Sequence, residues 1–143
     1  MVDFPGVTGK MCNWEIVEAV AGAKETLAEW SKNAQIYIAT GAADSTELEI
    51  QRAFERVGLD QFISGYFCKA NIGQSKGTTA FLNAILDKLD ITATHVAMVG
   101  DSLEKDIKPA LLAGIQPFWL TNQKRGQNPN KVNVIKQLNE LYL

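Results

Sequence analysis

Apolar residues follow two alternating patterns along the chain, and each pattern predicts a different element. Short runs of apolar, β-branched and aromatic residues are typical of buried parallel strands. Apolar residues three and four positions apart are typical of helices that bury one face. One predicted strand ends at Val2. The other four cover residues 35–40, 62–68, 96–99 and 116–120. The predicted helices cover residues 13–33 with a break near Ala21, 45–58, 79–89, 106–114 and 130–143.

Small and polar residues mark the ends of these helices. The candidate N-terminal caps are Asp44 or Ser45 for one helix and Thr78 or Thr79 for the next. Gly58 and Gly114 are expected to end the helices that precede them. Residues 70–75 and 121–129 are polar and without periodicity, so we expect loops there.

The regular alternation of strands and helices predicts an α/β fold. Consecutive strands joined by helices pair in parallel, with right-handed crossovers and helices on both faces of the sheet. This gives three layers, α/β/α, around a mainly parallel sheet. The 143 residues suffice for one core, so we expect a single domain over residues 1–143.

Composition and charge exclude several classes of function. The net charge is −2, without a basic excess, so neither nucleic acid nor an anionic membrane is expected as a partner. No apolar run is long enough to cross a bilayer, and a cytoplasmic location is expected. Cys12 and Cys68 are expected to be reduced. His95, the single histidine, stands before a predicted strand, away from the polar strand ends, and is interpreted as structural.

Two carboxylates follow the predicted strand over residues 96–99. Asp101 comes directly after Gly100, and Asp106 lies where a helix should begin. Ligands bind at the carboxyl ends of strands in open α/β sheets. Two carboxylates this close repel unless a cation such as Mg²⁺ offsets their charge. The alternative is that Asp101 caps a helix and Asp106 lies on its surface.

Further polar residues are expected at the same edge of the sheet. The set consists of Asp3, Thr40, Lys76, Asp101 and Asp106. Together with Mg²⁺ they form a candidate phosphate site, in which Thr40, Lys76 and N–H groups near Gly41 hold the phosphoryl oxygens. Asp3 is then the candidate nucleophile, forming an aspartyl-phosphate that water hydrolyses. Alternatively, Thr40 is a plain strand-end hydroxyl and Lys76 a solvated lysine; Lys69 is the second candidate for the lysine.

These motifs resemble those of the haloacid dehalogenase superfamily of phosphohydrolases over about residues 20–143. VAMVGDSLEKDI is similar to its fourth motif, with Asp101 and Asp106 as the acidic pair. IYIATG is similar to its second motif, with Thr40 as the phosphate-binding hydroxyl, and Lys76 resembles the lysine of the third. The resemblance implies a Rossmann-like core, Mg²⁺ as cofactor and a phosphorylated substrate.

The first motif departs from the superfamily pattern D-x-D-G-[TV]. This chain reads Asp3-Phe4-Pro5-Gly6-Val7, so Pro5 replaces the aspartate that serves as general acid and base. Proline cannot transfer a proton, although its carbonyl can still bind Mg²⁺. The resemblance therefore implies Asp3, Pro5, Asp101 and Asp106 as the metal-ligand set. It leaves a second function open, a non-catalytic binding or regulatory module, and leaves open that Asp3 matches the motif by accident.

The spacing of the motifs leaves no room for a cap domain. The intervals 3–40 and 40–76 are the two places where the superfamily inserts caps, and both are short here. An open site implies either a bulky phosphorylated substrate or a homo-oligomer in which a neighbouring subunit closes the site. A receiver-like phosphoacceptor would need its aspartate in mid-chain, and a dinucleotide site would need a glycine fingerprint that is absent.

Overall fold

A computed structural model describes residues 10–13, 18–42, 44–122 and 132–141. These residues fall into two compact units, one up to Gly73 and the other from Gln74 to Leu141. The prediction of a single domain stays a prediction. The predicted strand at Val2 and most of the predicted loop over residues 121–129 lie outside the described residues.

The described part of the first unit contains two parallel strands and three helices. Its elements are α1 (Ala23–Trp30), β1 (Tyr37–Ala39), α2 (Glu47–Glu55), β2 (Gly65–Phe67) and α3 (Lys69–Ile72), with 3-10 turns at Met11–Asn13 and Asp60–Phe62. Tyr37 pairs with Gly65 and Ala39 with Phe67. Both strands are shorter than the predicted ranges 35–40 and 62–68, although Ser64 N also donates to the Ile36 carbonyl at 2.7 Å just outside the paired residues.

Local capping explains where the first two helices begin. Gly22, at a φ of 75°, precedes α1, so this helix begins just after the predicted break near Ala21. The helical piece predicted before the break was wrong for residues 18–20, which are not helical. Thr46 caps α2, with its hydroxyl accepting from Glu49 N at 3.3 Å and the Glu49 carboxylate accepting from Thr46 N at 2.8 Å. The prediction of Asp44 or Ser45 as the cap was wrong, because only Thr46 completes this reciprocal pair.

The loop predicted over residues 70–75 is in part the short helix α3. The Asn71 side chain accepts from Cys68 N at 2.9 Å and donates to the Tyr66 carbonyl at 2.7 Å. These bonds fix the turn that begins the helix, a role for which a polar side chain is needed. Gly73, at a φ of 80°, ends α3. The polar composition that suggested a loop therefore supports a cap.

An ion pair ties the segment around Lys10 to α2. The Lys10 ammonium donates to the two Glu49 oxygens at 2.7 and 2.9 Å. This hydrogen bond raises the pKa of Lys10 and lowers the pKa of Glu49 from their ordinary values. Both groups are thereby held in their charged forms.

Three parallel strands are found among the described residues of the second unit. Its elements are α4 (Thr79–Leu89), β3 (Ala97–Gly100), a π-helical turn (Leu103–Ile107), α5 (Lys108–Ala113), β4 (Gln116–Leu120) and β5 (Asn133–Ile135). The strand order is β3-β4-β5, so β4 is central. Thr78 caps α4, with its hydroxyl accepting from Phe81 N at 3.2 Å. Of the two predicted caps, Thr78 and Thr79, it is therefore Thr78 that fills this role. β3 is displaced by one residue and only half-buried, since β4 is its one strand neighbour in the described chain.

The helix predicted over residues 130–143 was wrong. Residues Asn133–Ile135 form β5, which pairs in parallel with residues 118–120 of β4, and a 3-10 turn follows at Leu138–Glu140. The β-branched Val134 and Ile135 favour a strand. Without β5, the side of β4 away from β3 would present unpaired backbone donors and acceptors, which a helix could not satisfy.

Each unit buries its own set of apolar side chains. In the first unit they are Ala23, Leu27, Ile50, Ala53, Phe54, Leu59, Tyr66, Phe67 and Cys68. In the second unit they are Phe81, Leu82, Leu86, Ile107, Ala110, Ile115, Trp119, Ile135 and Leu141. Cys12 and Cys68 are both free thiols, as predicted. None of the described helices is long and apolar enough to cross a membrane.

Candidate active site

A buried ion pair lies at the carboxyl end of β3. The Lys76 ammonium is 2.8 Å from Oδ1 of Asp106, and only 2% of the Asp106 side chain is exposed. Lys76 precedes α4 and Asp106 lies in the turn after β3, so two separate segments bring these charges together. A buried carboxylate needs such compensation, because removing it from water is costly.

The π-helical turn directs Asp106 inwards. The Ser102 carbonyl accepts from both Asp106 N, at 2.9 Å, and Ile107 N, at 3.2 Å. Oδ2 of Asp106 in turn accepts from Ser102 N at 3.1 Å, so the carboxylate folds back onto its own turn. Ser102 also caps the turn, with Oγ accepting from Lys105 N at 3.1 Å. The alternative in which Asp101 is the cap and Asp106 a surface residue was wrong.

Two glycines permit this arrangement, Gly100 by the space it leaves and Gly77 by its backbone angle. A Cβ on Gly100 would lie 2.4 Å from Cβ, Cγ and Oδ2 of Asp106, closer than any real contact. Gly77 follows Lys76 at a φ of 99°, where its added Cβ would meet Lys105 at 3.5 Å. Gly100 lets the carboxylate approach the end of the strand, and Gly77 lets the chain turn into α4.

Asp101 differs from Asp106 in almost every respect. Its side chain is exposed, and among the described residues no hydrogen bond or ion pair to its carboxylate is found. Its backbone is held, because Nε1 of the buried Trp119 donates to the Asp101 carbonyl at 3.0 Å. Asp106 is therefore the locked carboxylate, fixed by protein contacts, and Asp101 is the open carboxylate, exposed and without such contacts in the described chain.

Thr40 and Gly41 follow β1 in the first unit. Thr40 N donates to the Phe67 carbonyl at 3.0 Å, which extends the pairing of β1 with β2. Thr40 Oγ1 accepts from Ala42 N at 3.2 Å, and its own O–H remains available as a donor. Ala42 N–H is engaged in this bond, so of the two described N–H groups that follow Thr40, that of Gly41 is the candidate for a phosphoryl oxygen.

The predicted site residues fall into three groups. Lys76, Asp101 and Asp106 lie together at one end of the second unit. Thr40 and Gly41 lie in the first unit, and their convergence with the others stays a prediction. Asp3 and Pro5 lie outside the described residues. Lys69, the second candidate for the lysine, begins α3, whereas Lys76 makes the ion pair. His95 is exposed, with Nδ1 at 2.6 Å from Thr92 Oγ1.

The carboxylate oxygens at this site are suitable ligands for a hard divalent cation, but they form only part of a ligand set. The exposed Asp101 carboxylate is a suitable direct ligand for Mg²⁺. Oδ2 of Asp106 accepts from Ser102 N–H, whereas the buried Oδ1 is paired with the Lys76 ammonium without accepting a hydrogen bond from the described residues. Both oxygens therefore keep a lone pair for a metal or its bound water. Within the described ranges, no group of three or more His, Cys, Asp or Glu side chains could hold a metal. Asp101 and Asp106 thus provide only part of a metal site.

Sequence reasoning missed three residues that build this site. Gly100 provides the clearance, Ser102 supplies both the cap and a hydrogen bond to Asp106, and Trp119 binds the Asp101 carbonyl. The run Gly100-Asp101-Ser102 could have indicated the first two. Trp119 lies 18 residues from its partner, and only strand pairing brings them together.

Comparison with known proteins identifies the family. Residues 10–114 match haloacid dehalogenase-like hydrolases, and this range is well over half of the chain. The chain belongs to the haloacid dehalogenase-like hydrolase family. The matched range contains Thr40, Lys76, Asp101 and Asp106. It begins after Asp3 and Pro5, so the match does not extend to the altered first motif.

Individual proteins with known structures show the same fold. YfnB from Bacillus subtilis (strain 168), named as a HAD-hydrolase, is 26% identical over 87% of this chain and 53% of its own. Its magnesium-bound crystal structure superposes with a TM-score of 0.74 at 24% identity, over 86% of this chain and 54% of that one. A structure from Listeria monocytogenes serotype 4b gives a TM-score of 0.79 at 23% identity, covering 93% of this chain and 82% of that one.

A further relative is named as a phosphatase. The ribulose-1,5-bisphosphate 5-phosphatase of Halopiger xanaduensis is 31% identical over 71% of this chain and 42% of its own length. The chain thus spans about half the length of the curated relatives it matches. Together these matches confirm the predicted Rossmann-like α/β fold. Between Thr40 and Lys76, the described residues form only α2, a 3-10 turn, β2 and α3, so no cap domain is inserted there.

Proposed function

We propose that this haloacid dehalogenase-like hydrolase is a Mg²⁺-dependent phosphatase that acts through an aspartyl-phosphate. The observation that carries the proposal is the Lys76–Asp106 ion pair, 2.8 Å long, beside the open carboxylate of Asp101. A phosphoryl group needs positive charge around its oxygens, and Lys76 places an ammonium at a strand end to supply it. The relative named as a phosphatase supports this reaction class.

Each residue has a distinct part in the proposed reaction. Mg²⁺, when bound, would neutralise the carboxylates and polarise the phosphoryl group. Asp101 would hold the ion directly, Asp106 through its remaining lone pairs, and Asp3 and the Pro5 carbonyl would complete the protein ligands. Asp106 also holds Lys76 in place, and Lys76 and Thr40 would donate to the phosphoryl oxygens. Gly41 N–H would add a backbone donor.

The bond changes involve Asp3 and water. An Asp3 carboxylate oxygen attacks phosphorus while the bond from phosphorus to the leaving oxygen breaks. Water then attacks the phosphorus of the aspartyl-phosphate, the bond from phosphorus to Asp3 breaks, inorganic phosphate leaves, and solvent takes up the proton that the water loses. Pro5 cannot donate a proton to the leaving oxygen, so solvent must protonate it. We therefore expect slow turnover and a preference for good leaving groups such as nitrophenolate, since acid catalysis is typically worth about 10²–10⁴-fold.

Hydrolysis of p-nitrophenyl phosphate with and without Mg²⁺ tests this proposal. We expect Mg²⁺-dependent turnover that Asp3→Asn abolishes and Pro5→Asp increases by about 10²-fold or more. Lys108→Met, which removes only an exposed pair with Glu104 and leaves the Lys76–Asp106 pair intact, serves as the control. Turnover that persists in Asp3→Asn would remove Asp3 from the mechanism.

The second candidate is a non-catalytic binding or regulatory module, which Pro5 in place of the general acid favours. This candidate predicts no turnover in the natural chain and a gain in Pro5→Asp. It also predicts that p-nitrophenyl phosphate or inorganic phosphate binds without being consumed, which isothermal titration calorimetry would measure.

The natural substrate and setting form part of the same proposal. The described residues between Thr40 and Lys76 form no inserted cap, which would leave room for a bulky phosphorylated substrate or for a second copy of the chain to close the site. We place the protein in the cytoplasm, without a nucleic-acid or membrane partner. A monodisperse monomer in light scattering would exclude the oligomeric alternative.

A further inference from the structure

Asp101 and Asp106 are held in position by different means. Asp106 is fixed at its side chain by Lys76 and by Ser102 N–H. The Asp101 carboxylate has no such contact in the described chain, so its position depends on the backbone that carries it. That backbone leaves β3 at Gly100 and enters the π-helical turn after Ser102.

One side chain from the neighbouring strand holds this backbone. Trp119 pairs with Gly100 in the parallel register of β3 and β4. Its indole reaches one residue further and donates Nε1–H to the Asp101 carbonyl at 3.0 Å. Trp119 is only 4% exposed and also pairs with Val134 of β5, so this donor lies on the central strand of the sheet. Of the natural aromatic side chains, tryptophan provides this ring bulk with a donor at its edge.

From this contact we infer that Trp119 is a positioning residue, which orients the Asp101 carboxylate for a divalent cation through the Asp101 backbone. The inference rests on the proposed function, because that function makes Asp101 a ligand. Partners that orient metal ligands often contribute strongly to affinity without touching the metal. The bond is partly buried and Trp119 itself is buried, so its loss should cost some stability as well as the fixed direction of the ligand. The test must therefore separate the orientation of Asp101 from general destabilisation.

Trp119→Phe tests this inference by removing the N–H while keeping an aromatic ring. Mn²⁺, which favours the same oxygen ligands as Mg²⁺, is the probe, and electron paramagnetic resonance measures its unbound fraction. We expect the dissociation constant for Mn²⁺ to rise by about 3- to 10-fold in Trp119→Phe. Trp30→Phe, the same change in α1 of the first unit, is the matched control and should stay within about twofold of the unaltered chain.

Amide hydrogen exchange provides a readout that does not depend on metal. Ser102 N–H, the next donor after Asp101, should exchange about 3- to 10-fold faster in Trp119→Phe than in Trp30→Phe, without a general increase across β4. If Trp119→Phe does not fold, replacing the Trp119 indole by a benzothiophene ring keeps its shape and removes only the donor. The same Mn²⁺ and exchange measurements then apply to that protein.

The outcomes separate this inference from the proposal on which it rests. Equal Mn²⁺ affinity in the unaltered chain and in folded Trp119→Phe overturns the role of Trp119 alone. Unchanged Ser102 exchange overturns it as well, because the backbone would then be ordered without the indole. If the unaltered chain binds no Mn²⁺, the proposed metal-dependent function fails, and the inference fails with it.

Discussion

The ammonium of Lys76 lies 2.8 Å from Oδ1 of Asp106, a carboxylate with only 2% of its side chain exposed. Lys76 itself is 19% exposed at the side chain, so the pair has one buried and one partly hydrated end. Loss of the lysine would leave the buried carboxylate without compensation, whereas loss of the carboxylate would leave an ammonium that water can still hydrate. This asymmetry determines what each substitution should do.

Lys76→Met should lower the free energy of unfolding by about 3 kcal/mol, because it leaves a buried carboxylate without its countercharge. Urea denaturation measures the loss. Adding Asp106→Asn should recover part of it, since the neutral amide no longer requires compensation. The control Lys108→Met removes an exposed pair with Glu104 and should cost less than about 0.5 kcal/mol. A loss below about 1 kcal/mol for Lys76→Met would contradict the buried-pair interpretation.

Asp101→Asn and Asp106→Asn should separate metal binding from stability. The Asp101 carboxylate is exposed and unpaired in the described chain, so its replacement should change stability by less than about 0.5 kcal/mol. Asp106→Asn breaks the ion pair and should cost about 1–3 kcal/mol. Titration with Mn²⁺ should show weaker binding for both variants. Equal stability losses in the two variants would refute the division into one locked and one open carboxylate.

Gly100→Ala should destabilise the second unit by about 2–3 kcal/mol, because its Cβ would lie 2.4 Å from three Asp106 atoms. Thermal unfolding and phosphatase assays should show losses together, since Asp106 must move. Gly65→Ala is the control within a strand of the first unit. Its Cβ meets only the Tyr37 ring, at 3.0 and 3.1 Å, so we expect a smaller loss. Full activity in Gly100→Ala would mean that the position of Asp106 is not needed.

The Lys10–Glu49 pair should stabilise the protein only within a defined pH window. The pKa of Glu49 is lowered, so its contribution is full above the ordinary value of 4.5 and is lost as the pH falls through the lowered pKa. The pKa of Lys10 is raised, so its contribution is full below 10.5 and is lost as the pH rises through the raised pKa.

Denaturation of the unaltered chain and of Lys10→Met across the acid range tests this window. The stability difference between the two proteins should be constant near neutral pH and should shrink once the pH falls below 4.5. Lys32→Met removes an exposed pair with Glu29 and should show little difference at any pH. A difference that persists fully in strong acid would show that Lys10 acts through packing of its stem rather than through charge.

The local sequence predicted correctly whether a segment is a helix or a strand wherever its apolar periodicity and its capping residues agreed. Residues 116–120 read as a strand because apolar and aromatic residues favour that state, and β4 covers the same range. Thr78 and Gly114 mark helix ends because hydroxyl caps and left-handed glycines act within a few residues. Asn71 and residues 133–135 misled the prediction, since a polar cap resembles a loop and a short β-branched run was outweighed by the surrounding helical composition.

The sequence by itself determined the family, the alternation of strands and helices, and the candidate residues of the site, because motifs and periodicity are local properties of the chain. Only the tertiary structure decided which partner each residue meets. Lys76 reaches Asp106, Trp119 reaches Asp101, and residues 133–135 join the sheet, because strand pairing brings distant segments within hydrogen-bonding distance. Such contacts depend on register and burial, to which residues far apart in the chain contribute jointly.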